Sequence, residues 1–73
     1  MSISTGYEKL GDAIVEQALR DYYYTLRRLK KNPHDYKLKK QLHELLDFFN
    51  SSYCELLASF DVEPLMRKIE KRV

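Results

Sequence analysis

Tryptophan is missing from this 73-residue chain, and cysteine occurs once, at Cys54. A single thiol cannot close an intrachain disulfide, so nothing in the cysteine usage points to an oxidising compartment. Two glycines and two prolines leave little turn material, which argues against an all-β fold built from many hairpins. No apolar run approaches the 18 or so residues of a membrane span. The opening MSISTGYEKLGD lacks the basic and apolar regions of a signal peptide. A cytoplasmic protein is the expectation. Glycine-rich phosphate loops, a nucleophile elbow and any standout pair of carboxylates are also missing. The chain is short for enclosing a substrate pocket, so neither an enzyme nor a small-molecule substrate is expected.

What is present is charge, arranged in blocks. Residues 1–19 hold one lysine against three carboxylates, a local charge of −2. Residues 20–40 hold eight Lys/Arg against two aspartates, or +6, and residues 41–64 hold five carboxylates with no cation, or −5. Residues 65–73 return to +3, with four cations against Glu70. The net +2 therefore hides a dipolar molecule, able to steer an anionic partner or to pair with itself.

The stretch from Asp12 to Lys31 organises the chain. Read at 100° per residue, Val15, Ala18, Leu19, Tyr22, Leu26 and Leu29 fall on one arc of an amphipathic helix. Arg20, Tyr24, Arg27, Arg28 and Lys31 share the other side, so a tyrosine stands among four cations where solvent is expected. Thr5 and Glu8 have capping-box spacing, but Gly11 interrupts at a cost of roughly 1 kcal/mol. The secure start is therefore placed at Asp12, with residues 1–6 disordered and Tyr7 and Leu10 folding back onto the core. Asn32-Pro33 stops the helix near Lys31.

Asp35 is the expected N-cap of a second helix, about 36–50, with Leu38, Leu42, Leu45 and Phe49 as its stripe. The short connection makes these two helices an antiparallel hairpin. Ser52 and Glu55 form another capping box, predicting a third helix over about 53–59. Asp61 as N-cap, with Pro64 in the first turn, predicts a fourth over about 62–72. The fold class is all-α: one domain, 1–73, a helical hairpin closed by two shorter helices. The expected core is Val15, Ala18, Leu19, Tyr22, Leu26, Leu29, Leu38, Leu42, Leu45, Phe49, Leu57, Phe60, Leu65 and Ile69.

Two candidate surfaces follow. Tyrosine and arginine dominate interface hot spots, so Arg20, Tyr24, Arg27, Arg28 and Lys31 could bind a partner protein, a second copy included. The blander reading is a solvated face on which Tyr24 packs over arginine stems. Alternatively Arg27, Arg28, Lys30, Lys31, Lys37, Lys39 and Lys40 could meet the phosphates of a nucleic acid. Residues 36–50 lack the polar outer face of a recognition helix, and Glu44 and Asp47 would meet phosphates badly. His34, His43 and Cys54 lack the close spacing of a zinc site, so no metal or other cofactor is expected. His43 and Asp47 read as an i,i+4 surface pair. Cys54 reads as a small buried residue, and Phe48, Phe49 and Tyr53 as an aromatic corner.

The runs IVEQALRDYYYTLRRLKKNP and LLDFFNSSYCELLASFDVEPLMRKI resemble small uncharacterised helical proteins of phages, prophages and integrative elements of Gram-positive bacteria. The residues that carry the resemblance are Ile14 to Ala18, Asp21-Tyr22, Leu26 to Pro33, Phe48-Phe49, Ser52-Tyr53, Leu57, Asp61 and Leu65. It covers most of 14–69 and departs at Val62-Glu63-Pro64, where a glycine-containing turn would be expected. It brings no activity and no functional residues. What it implies is a bacterial cytoplasm and an accessory role in a mobile element. The resulting expectation is a non-enzymatic accessory or regulatory protein acting by protein–protein interaction. A small nucleic-acid binder and a structural subunit of a larger assembly are the alternatives.

Overall fold

The computed structural model describes the backbone from Ile3 to Val73 and the side chains from Leu10 onward. It contains four helices, α1 (Ile3–Lys31), α2 (Tyr36–Phe49), α3 (Ser52–Leu57) and α4 (Glu63–Arg72), and no strand among the described residues. The all-α hairpin with two shorter helices is the architecture expected. Every other helix packs on α1, and α2 also packs on α3. The backbone of α4 makes no close approach to α2 or α3, so a cleft separates it from them.

The start of α1 corrects the expectation. The helix runs through Gly11 without a break and begins at Ile3, so Ile3 to Gly6 are helical; Met1 and Ser2 lie outside the described residues. So do the side chains of Tyr7 and of the Thr5–Glu8 box. The reason for Gly11 is packing. A Cβ built there would sit 2.5 Å from the carbonyl oxygen of Leu57, at the end of α3. Glycine is the residue that lets two backbones meet so closely. Continuing the helix upstream also turns Leu10 outward, to 61% exposed, rather than onto the core.

Asp12 is therefore not a helix start. Its carboxylate accepts from the backbone N–H of Ser59 at 2.8 Å and from the Ser59 hydroxyl at 2.7 Å. These two bonds fasten the α3–α4 connection to α1, and both hold the Asp12 carboxyl below its usual range.

The N-cap of α2 is Asp35, which accepts from Lys37 N and Leu38 N. The third helix starts one residue earlier than its expected cap allowed. Ser51, not Ser52, is the N-cap: its hydroxyl accepts from Cys54 N and donates to the carbonyl of Phe48. One hydroxyl thus closes the bend and opens α3, which ends at Leu57 rather than Ser59. Asp61 accepts from Glu63 N at 3.2 Å just ahead of α4, although Val62 occupies the cap position itself.

Val15, Leu19, Tyr22, Phe49 and Cys54 form the buried centre. Tyr22 and Phe49 meet edge to face at 5.7 Å, and Phe48 continues the stack to Phe49 and to Tyr53. Thr25 is buried as well. Leu29 and Leu38 are half-buried and lie outside the packed cluster. Leu65 is exposed, because α4 turns Val62, Met66 and Ile69 inward instead.

Candidate interaction surface

The inner arc of α1 is committed to the core, and this leaves Arg20, Tyr24, Arg27, Arg28 and Lys31 all exposed on the outside. Tyr24 keeps 56% of its surface in solvent. A pairing beside Tyr24 involves its neighbour Tyr23. Arg27 goes to Tyr23: its Nη1 donates to the Tyr23 hydroxyl at 3.3 Å, and its Cζ lies 5.6 Å from the ring centroid. Tyr24 leans edge to face on Tyr23 at 5.5 Å.

Two ion pairs occur among the described residues, His43–Asp47 at 3.7 Å and Glu63–Arg67 at 3.1 Å, both exposed. Neither involves α1. Arg20, Arg27, Arg28 and Lys31 thus have no ion pair among the described residues, and they flank a tyrosine that is more than half exposed.

The seven cations proposed for nucleic acid are all exposed, and those of α1 and α2 that line hollows line different ones. Arg27, Lys30 and Lys31 line a hollow of about 370 Å³ with Tyr23, Arg72 and Val73. Lys30 Nζ donates to the main-chain oxygen of Val73, which ties the end of α4 to α1. Lys39 and Lys40 belong to a separate hollow with Tyr36, His43, Glu44 and Asp47, where carboxylates sit beside them. Lys37 and Arg28 line neither. Arg72 is the addition that sequence could not supply, because only the docking of α4 brings it to α1.

A hollow of about 630 Å³ is the cleft between α4 and the α2–α3 pair. Leu46, Phe49, Phe60 and Met66 contribute its apolar floor, and Glu55, Asp61, Glu63 and Glu70 its rim. Buried Cys54 is also in the lining, and burial, with the nearby Glu55 charge, pushes its thiol up and away from the reactive thiolate. Burial first, then the Glu70 carboxylate, raises the Tyr22 hydroxyl to about 12. No group of three or more His, Cys, Asp or Glu side chains that could hold a metal occurs among the described residues. No helix of the described residues is long and apolar enough to cross a membrane.

Comparison of the chain with protein families, with curated proteins and with solved structures returns no match.

Proposed function

We propose that this chain is a non-enzymatic accessory or regulatory protein, in a phage or other mobile element and in the cytoplasm of its bacterial host, that acts by binding another protein through the outer face of α1. The observation that supports the reading is Tyr24. It is more than half exposed on a helix whose neighbouring cations have no carboxylate to answer them among the described residues. An aromatic ring with arginines around it is the side-chain set that carries most energy in protein interfaces. Its position on a helix of about eight turns, backed by the core, presents it with little conformational cost on binding.

A second reading, nucleic-acid binding, draws on the hollow where Arg27, Lys30, Lys31 and Arg72 meet. The two separate on capture from a bacterial lysate with and without nuclease. The protein reading expects a stoichiometric partner that survives nuclease and is lost with Tyr24→Ala, a hot-spot loss of about 2 kcal/mol or roughly thirtyfold in affinity. Recovery of nucleic acid, with every co-purifying protein vanishing after nuclease, would overturn it.

A further inference from the structure

The cleft between α4 and the α2–α3 pair has a chemistry of its own. Four carboxylates, Glu55, Asp61, Glu63 and Glu70, surround an apolar floor, and the one guanidinium in the lining, Arg67, is already held by Glu63 at 3.1 Å. The lining therefore carries a net charge of −3, from four anions and one cation. Its 630 Å³ lies within the range of cavities that enclose drug-sized molecules, so one or two large side chains would fit. A floor of this kind accepts an aromatic or aliphatic body, and the rim demands cations around it.

The outer face of α1 matches on both counts. Tyr24 supplies the body, and Arg20, Arg27, Arg28 and Lys31 supply the cations. The match is not made within one molecule: none of these five residues lines the cleft of its own chain.

We propose that the cleft of one copy receives the Tyr24 face of a second copy. The proposal rests on the reading of that face as a protein-binding surface. Because the two contacting surfaces differ, the contact is head-to-tail, and each added copy presents a fresh face and a fresh cleft. Such an interface closes into a ring or extends as an open chain, rather than stopping at a two-fold dimer. A standard interface of about 800 Å² per partner would cover roughly an eighth of the 5965 Å² surface at each end. Ion pairs at the rim make the association weaken as salt rises.

Sedimentation equilibrium on the full chain and two variants tests this. Glu55→Lys with Glu63→Lys blocks the cleft, and Tyr24→Ala with Arg28→Glu blocks the face; all four positions are exposed. Far-UV circular dichroism checks that both variants stay helical, and Glu55→Gln with Glu63→Gln is the milder cleft variant if the reversal misfolds. The wild type should exceed 8.8 kDa with rising concentration. Each reversed variant alone should remain a monomer, and the milder one should associate at least tenfold more weakly. An equal mixture of the two reversed variants should give two-chain complexes and nothing larger, since only one intact face and one intact cleft remain.

A wild type that stays at one chain up to about 1 mM would overturn the proposal, leaving the α1 reading to the lysate capture. Association that survives the cleft variants but not the face variant would also overturn it while sparing that reading. Association that survives the face variant would overturn the proposal and remove any role of Tyr24 in self-recognition.

Discussion

At the scale of single residues, Gly11 shows how one position can be read two ways. In an exposed helix, glycine to alanine gains roughly 1 kcal/mol of helix propensity. Here the added methyl would meet the Leu57 carbonyl oxygen, part of a backbone that cannot swing aside. Gly11→Ala should therefore destabilise the protein by about 1–3 kcal/mol, the usual cost of overpacking, as read from a urea melt. A stabilising outcome would show that α3 yields easily. Periodicity alone could not separate a glycine that breaks a helix from one that makes room, because the contact that decides comes from a distant part of the chain. The outward residues were legible for the opposite reason. Arg20, Tyr24, Arg27, Arg28 and Lys31 are exposed through the local geometry of one helix, which the sequence spacing encodes directly. Arg72 becomes a neighbour of Arg27 through packing alone, and no spacing encodes that.

At the scale of elements, caps decide where the short helices begin. The N-cap of α2 was legible because Asp35 stands alone after Asn32-Pro33. Ahead of α3 two serines compete, and the S-x-x-E spacing favoured the wrong one. Ser51 wins because its hydroxyl bonds at both ends, to Cys54 N and to the Phe48 carbonyl. Ser51→Ala should cost about 1 kcal/mol, whereas Ser52→Ala should stay within about 0.5 kcal/mol, as compared by denaturation midpoints. Equal losses would contradict the assignment. The rotation of α4 was hidden for a related reason. Five apolar residues, Val62, Leu65, Met66, Ile69 and Val73, share one broad arc, and packing on α1 selects Val62, Met66 and Ile69 from it.

At the scale of the whole molecule, two titrating groups couple folding to pH, one in acid and one in alkali. Asp12 is held below the ordinary carboxylate value of about 3.9, so its contribution is complete above that pH and is lost as the pH falls through its folded value. Tyr22 runs the other way. With its hydroxyl raised from about 10 to about 12, its contribution is complete below pH 10 and is lost as the pH rises through 12. Melting temperatures of the wild type, Asp12→Ala and Tyr22→Phe across pH should show this. The gap to Asp12→Ala should narrow only in acid, and the gap to Tyr22→Phe should change only in alkali. Gaps that stay constant across pH would mean that neither group is coupled to folding.

The length of α1 has a hydrodynamic consequence. Twenty-nine residues in one helix stretch the molecule to 48 × 21 × 16 Å, with a radius of gyration of 13.7 Å where a sphere-like chain of this size would have about 11 Å. A rod drags more solvent than a ball of equal mass. A lone chain should therefore diffuse slowly and leave a sizing column early, passing for a heavier particle. In solution it should also tumble anisotropically, so that amides along α1 relax at rates set by the angle between each N–H bond and the long axis.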